Sequence, residues 1–204
     1  MLQKDCERLD PRIRRTRNLL QDALRRLLEE KEFDKISVQD ITEAATLNRA
    51  TFYAHYSDKF ALLEEFIRVS FLDILEEKNV RFNGTCPSAL QVIILTVCEY
   101  LIEAEKSLSS KQHRYEPFLQ SKVIDQIREV LLDGFRQHPM ERRVAPETIA
   151  ATVSWAIYGA VRQWVDSADR LPQEEFVQLA VDLIHPIMMA GIASGREVVS
   201  EDRV

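Results

Sequence analysis

The sequence predicts an all-α chain of about nine helices, arranged as a three-helix N-terminal head and a larger C-terminal helical domain. Three observations carry this. Apolar residues recur at helical spacing along most of the chain. Turn residues are scarce, with 5 Gly and 7 Pro in 204 residues, whereas a sandwich or barrel needs many turns. Hydrophobic residues make up 46% of the chain, enough to fill a core between helices.

Each element has its own signal. Asp10-Pro11 pairs an N-cap with a proline at the first helical position, and Ile13, Leu20, Leu24 and Leu27 follow at helical spacing to about residue 32. Ser37-Val38-Gln39-Asp40 has the capping-box form, Ser followed three residues later by a carboxylate. It opens a short second helix carrying Ile41, Ala44 and Ala45. Asn48 caps a third helix that begins at Arg49 and ends near Tyr56. Ser57-Asp58 caps a fourth, about 57–79, with Leu63, Ile67, Phe71 and Ile74 on one face.

Asn83-Gly84-Thr85-Cys86-Pro87 is the sharpest break. Ser88 with Gln91 repeats the capping-box form and opens a fifth helix bearing Leu90, Ile94, Val97 and Leu101. After the polar stretch 107–111, Pro117 separates a single turn from a seventh helix with Leu119, Val123, Ile127 and Val130, which stops near His138-Pro139. Pro146 starts the eighth helix, and the turn at 169–172 follows it. The ninth runs from Glu174 through Phe176, Leu179, Ala180 and Leu183. Pro186 is expected to kink it, because it removes a backbone donor. The polar tail, 194–204, is expected to fray.

Composition excludes several classes. No apolar run reads as a membrane span. The charged N-terminus, with no apolar segment behind it, is not a signal peptide, so the expected compartment is the cytoplasm, with no membrane partner. Cys6, Cys86 and Cys98 are an odd number at wide spacing and match no zinc pattern. They read as one tail thiol, one loop thiol and one buried thiol. No Ser/His/Asp set, P-loop or dinucleotide fingerprint is present. Hence no catalytic residue, metal or cofactor is expected.

The net charge of −6 is unevenly spread. Residues 1–60 hold 12 Lys and Arg against 11 Asp and Glu, which is +1; the rest holds 15 against 22, which is −7. An acidic body repels DNA in the wrong orientation, while phosphate affinity needs only a local basic stripe. Arg12-Ile13-Arg14-Arg15-Thr16-Arg17 is such a stripe. As a solvated helix face it carries no function; at the mouth of a DNA-binding head, it meets phosphates, which fix register without reading sequence.

Residues 37–56 hold two short helices joined by the tight turn Thr46-Leu47-Asn48. That is the helix-turn-helix form, whose second helix enters the major groove. Arg49 in its first turn can donate two hydrogen bonds to guanine, and Thr51 can bond bases or phosphate. Phe52 and Tyr56, four residues apart, share one face and belong to the core; Tyr53 falls on the other side with Ala50 and Arg49.

Over about residues 14–63 the chain resembles the TetR family of bacterial regulators. The likeness lies in Phe33, Ser37-Val38, Asp40-Ile41, Ala44-Ala45, Thr51-Phe52-Tyr53, His55-Tyr56, and Lys59 with Leu62-Leu63. It implies a dimer with an N-terminal DNA-binding head, 1–60, and a helical effector-binding and dimerisation domain, 61–204, linked by the fourth helix. It further implies a repressor that binds a palindromic operator as a homodimer and is released by a small-molecule effector. Control by a protein partner is the alternative. By the same resemblance Thr51, Tyr53, His55 and Lys59 contact phosphate or base edges, and Arg49, Gln39 and Ser37 occupy contact positions. Arg14 and Arg15 join them from the basic stripe. Two departures stand out. The family commonly has Gly in the turn where this chain has Thr46; a left-handed residue suits Gly, and a β-branched residue there is expected to be strained. Ala50 stands where small residues, often Gly, are frequent.

Residues 149–161 are apolar nearly all round, so that helix is expected to be buried on more than one side. Ala156, Gly159 and Ala160 allow close approach of a second helix. The eighth and ninth helices, with Leu183 and Ile187, are therefore expected to pair with their copies in a two-fold dimer, which suits a palindromic operator. Tyr100, Tyr115, Phe118, Trp155, Tyr158 and Trp164 either surround an effector cavity or are plain core. The site expectation takes the first five as its lining. His113, Arg114 and Arg162 offer cations to an anionic group. The sequence names no effector.

Overall fold

The computed structural model describes residues 10–78, 86–107 and 116–190. Among these it contains eight α-helices and no strand. They are α1 (Pro11–Glu30), α2 (Val38–Ala44), α3 (Arg49–His55), α4 (Lys59–Glu77), α5 (Pro87–Ser107), α6 (Glu116–Gln137), α7 (Pro146–Asp166) and α8 (Gln173–Ala190). A 3-10 turn, Phe33–Lys35, joins α1 to α2. The predicted all-α class holds, with an N-terminal helix-turn-helix head followed by a helical C-terminal domain. The single turn expected before Pro117 falls at 108–115, outside the described residues, as do Cys6, most of the break at 83–87 and the tail.

The head is built from local caps. Asp10 accepts from the Arg12 backbone N–H at 2.8 Å, ahead of Pro11 at the first helical position. In α2 the capping box is complete: Ser37 Oγ accepts from the Asp40 N–H at 3.1 Å, and Asp40 Oδ2 accepts from the Ser37 N–H at 2.7 Å. The Ser37 bonds and the Lys31 ammonium, 2.9 Å away, hold the Asp40 carboxyl well below the usual carboxylate range. Asn48 Oδ1 accepts from the Thr51 N–H at 2.7 Å to start α3. Asp58 Oδ1 accepts from the N–H groups of Phe60 and Ala61 to start α4. Each cap satisfies donors that a helix start leaves open.

Thr46 ends α2 at φ 55°, the left-handed conformation expected of this turn. The Leu47 N–H bonds Thr42 O at 2.9 Å and the Thr46 N–H bonds Glu43 O at 3.1 Å, the paired bonds of a Schellman ending. A β-branched residue occupies the position that glycine fills without steric cost.

One buried core runs through the molecule. In the head it takes Leu20, Leu24, Ile41 and Phe52; α4 contributes Leu62, Leu63, Ile67 and Phe71. Helix α4 packs on α1 and also on α5 and α6, so it is the element that ties head to body. Below it α5 lies against α7 and α8, and α6 packs on α7.

Helix α6 starts at Glu116 and carries Pro117 in its first turn, where a missing N–H costs nothing. Two sequence expectations need correction. Ser88 does not cap α5; the helix starts at Pro87, and Cys86 O accepts from the Ala89 and Leu90 N–H groups. And one stretch, Pro87–Glu105, is long and apolar enough to cross a membrane by length and composition alone. Its Leu90, Ile94, Val97 and Leu101 are buried among the other helices, so this apolarity serves the core. Cys98 is buried and Cys86 half-buried, as expected. Pro186 lies inside α8.

Candidate DNA-binding interface

Most of the predicted contact residues are exposed on the head. Arg12, Arg14 and Arg15 are exposed along the first turns of α1. Arg17 is not. It turns inward, with its guanidinium 5.9 Å from the Tyr56 ring centre and 3.9 Å from Glu65, and so ties α1 to α3 and α4. The stripe is thus three exposed arginines and one turned inward.

On α2, Ser37 and Gln39 are exposed. The Ser37 hydroxyl donates to Asp40 Oδ2 at 2.6 Å, and the Gln39 amide donates to Glu43 at 2.8 Å. Arg26, which the sequence reading passed over, donates from Nη2 to Ala44 O at 2.9 Å and so fastens the end of α2 to α1.

On α3, Arg49 is exposed and has no ion pair among the described residues. Tyr53 is 54% exposed, and its ring stands edge-on to Phe52. Phe52 and Tyr56 are buried, as the spacing predicted. Thr51 is half-buried and its hydroxyl donates to Asn48 Oδ1 at 2.9 Å. It faces an acceptor already, so it meets a phosphate only by giving up this bond. Half-buried His55 has its pKa lowered, first by desolvation and then by the Arg17 charge. It therefore presents a neutral imidazole that can donate one hydrogen bond.

Lys59 departs from the expectation. Its ammonium donates to Phe33 O at 2.9 Å, Asp34 O at 3.1 Å and Ile36 O at 2.7 Å, and lies 4.6 Å from the Phe33 ring centre. An ammonium has three N–H donors, and all three are committed inside the head. In place of a free cation for phosphate, Lys59 is a staple that joins the first turn of α4 to the 3-10 turn. Partial burial lowers its pKa. Its acceptors lie 23–26 residues upstream, in an element that the helical pattern does not mark.

The expected effector residues separate. Tyr100 lines a cavity of about 200 Å³ between α1, α4, α5 and α6. Phe118 is half-buried and packs edge-on against Phe60, 5.8 Å between ring centres, at the start of α4. Tyr158 is buried on α7 and is not among the residues lining that cavity. Trp155, on the same helix, is 58% exposed and points away from the core. The reading of Trp155 as a pocket wall is therefore corrected. On a helix apolar all round, spacing alone does not tell the inner face from the outer. Trp164 stacks on Phe176 and donates to Leu171 O at 2.9 Å, joining α7 to α8. Arg162 pairs with Asp166 at 3.0 Å. Tyr115, His113 and Arg114 lie outside the described residues.

Helices α7 and α8 expose several large apolar side chains among polar ones. Leu183 is 74% exposed, and Trp155, Leu179 and Ile187 are exposed beside the half-buried Ala156 and Ala160. A Cβ built on Gly159 meets nothing within 4 Å.

A short capped helix with an outward Arg and Tyr, set behind a Schellman turn and flanked by arginines, defines a helix-turn-helix DNA-binding head. Residues 20–66 match the family of bacterial regulatory proteins, tetR family. The chain is also 37% identical over 75 residues to the uncharacterized HTH-type transcriptional regulator YxbF of Bacillus subtilis (strain 168); the match covers 36% of this chain and about a fifth of that protein's length. The fold as a whole is similar to a TetR transcriptional regulator from Streptococcus agalactiae 2603V, with a TM-score of 0.54 at 20% identity, over 85% of this chain and 95% of that one. It is similar too to the fatty acid degradation regulator FadR from Bacillus halodurans, with a TM-score of 0.51 at 13% identity, over 87% and 96%. Through residues 20–66 the head is similar to the TetR family of helix-turn-helix regulators, and the chain as a whole shares the fold of the solved regulators it resembles.

Proposed function

We propose that the protein is a ligand-controlled transcriptional repressor that binds a two-fold DNA operator as a homodimer in the cytoplasm. Residues 1–60 act as the DNA-binding unit, 61–204 as the effector and dimerisation unit, and α4 connects them. The observation that carries this reading is the pairing of two surfaces in one chain. The head exposes Arg14, Arg15, Arg49 and Tyr53. The C-terminal helices α7 and α8 expose Leu183, Trp155 and Ile187. Isolated exposed apolar side chains need no explanation, but a contiguous apolar helix face marks an interaction site. A two-fold pairing there sets two heads on successive major grooves, about 34–36 Å apart.

The experiment has two arms. DNA fragments are selected from a random pool with the purified protein, and the enriched sequence is tested by mobility shift against salt. Sedimentation measures the assembly state. Enrichment of an inverted repeat by a dimer is the expected result. A monomer at micromolar concentration, or a pool that stays random, refutes the proposal.

A further inference from the structure

We infer that the seam between head and body is the effector site, and that it takes a small neutral aromatic molecule of one ring carrying a single hydrogen-bonding group. This names the ligand class and position for the ligand-controlled reading above, on which it rests.

The walls come from both sides of the seam. Leu28 of α1 faces Phe66 and Ile74 of α4, Tyr100 and Ala104 of α5, and Leu119 of α6. Three of these, Leu28, Tyr100 and Leu119, are buried, so the interior is largely apolar, with the half-buried Ser70 of α4 also in the wall. An apolar cavity of about 150 Å³ holds benzene; at about 200 Å³ this one holds a ring with a substituent or two.

Tyr100 supplies the polar contact. It is only 7% exposed, and its hydroxyl has no hydrogen-bond partner among the described residues. Burial pushes the phenol well above its ordinary pKa, with no hydrogen bond to offset it. The hydroxyl is not one of the buried atoms left without a partner, so it keeps open surface, and beside an open cavity that surface is where a ligand atom can bond. The hydroxyl can donate or accept, so a phenol, amide or aniline suits it. A fully charged group does not, because no fixed cation or anion lies at the buried end and desolvating a charge is costly. The charged residues stay at the rim: Arg25, its guanidinium 5.5 Å from the Phe66 ring centre and 3.5 Å from Asp22, and the exposed Glu29 and Glu103.

The position explains how binding reaches DNA. Arg25, Leu28 and Glu29 belong to the helix whose first turns carry Arg14 and Arg15. A ligand held between α1 and α4–α6 favours the arrangement in which those walls enclose it. It weakens operator binding by as much as it prefers that arrangement to the DNA-bound one.

The test uses p-cresol and toluene as probes of the full chain, by titration calorimetry. Wild type is expected to bind both saturably. Tyr100→Phe should weaken p-cresol about three- to tenfold, the worth of one neutral hydrogen bond, and leave toluene unchanged. Ala104→Trp, which fills the cavity from its wall, should abolish both. Absence of p-cresol binding at about 1 mM overturns the inference. So does equal loss of both probes in Tyr100→Phe, or unchanged binding in a folded Ala104→Trp. Operator affinity is then measured with saturating p-cresol. A several-fold fall supports the inference together with the regulatory reading. Unchanged affinity upholds the site, whose variants still report on it, and refutes ligand control of DNA binding.

Discussion

Replacing Lys59 with Met separates two roles that a single sequence motif leaves superimposed. The side chain keeps its length and its contact with the Phe33 ring, and loses the ammonium. Three carbonyls lose a donor, but unequally. The Asp34 contact is exposed and water replaces it. The contacts to Phe33 O and Ile36 O are partly buried, and Phe33 O keeps the Ile36 N–H as a second donor at 3.0 Å. Hydrogen bonds to a charged group contribute about 1.5–3 kcal/mol each. Two partly buried ones therefore bound the loss at about 3–6 kcal/mol. Recovered desolvation and removal of a cation from a helix N-terminus, about 0.3–1 kcal/mol for the latter, bring the net to about 2–3 kcal/mol. For a chain of this size that is a fall in melting temperature of roughly 4–12 °C. Urea denaturation of wild type and Lys59→Met gives the stability change, and operator titration against salt gives the number of phosphate contacts. A staple predicts lost stability with the salt slope preserved. A variant as stable as wild type whose salt slope falls by about 1 would return Lys59 to the DNA and refute this reading of its geometry.

The other predictions concern the head surface, the turn, the interface and pH. Arg49→Ala should lose about 1–3 kcal/mol on the selected operator and relax preference at one position, whereas Arg15→Ala should weaken all sequences alike and flatten the salt slope; unchanged affinity and selectivity for Arg49→Ala in a mobility shift removes it from the interface. Thr46→Gly relieves a left-handed β-branched residue, roughly 1–2 kcal/mol, against the larger chain entropy of glycine, so a net gain of about 1 kcal/mol is expected in urea melts, and a loss counts against strain at this turn. Leu183→Glu leaves the subunit intact, because the side chain is already 74% exposed, but buries an unpaired charge across the proposed interface at a cost of several kcal/mol; a dimer at micromolar concentration in sedimentation rules that face out. His55 has a folded pKa below its unfolded value, so the stability it contributes is fully present above about pH 6.5 and is lost as pH falls through the folded value; His55→Asn should flatten that acid-side decline, and an unchanged pH profile contradicts the assignment.

What could be read from the sequence was local. Asp10, Ser37, Asn48 and Asp58 cap helices through bonds spanning two or three residues, so the same few letters hold both partners. Phe52 and Tyr56 turn inward and Tyr53 outward because a short amphipathic helix has one apolar face. The left-handed turn at Thr46 was legible only through the family resemblance, in which glycine is common at that position. The family motif likewise lies in one continuous stretch of the head.

The tertiary structure decided everything whose partners are far apart in the chain or whose local pattern is ambiguous. Lys59 looks like a surface cation by type and motif, yet three carbonyls 23–26 residues upstream absorb its charge. Arg17 belongs to the same basic run as Arg14 and Arg15, but the ring of Tyr56 and the carboxylate of Glu65 draw it inward. Trp155 and Tyr158 sit one turn apart on a helix with no polar face to orient it; only packing against α5, α6 and α8 buries the second and leaves the first in solvent. The cavity at Tyr100 needs four helices whose lining residues run from Arg25 to Leu119. The physical reason is common to all four cases. Periodicity and capping energies depend on neighbours within a turn or two, whereas desolvation and long-range hydrogen bonding depend on which surfaces meet, and those surfaces exist only once the helices have packed.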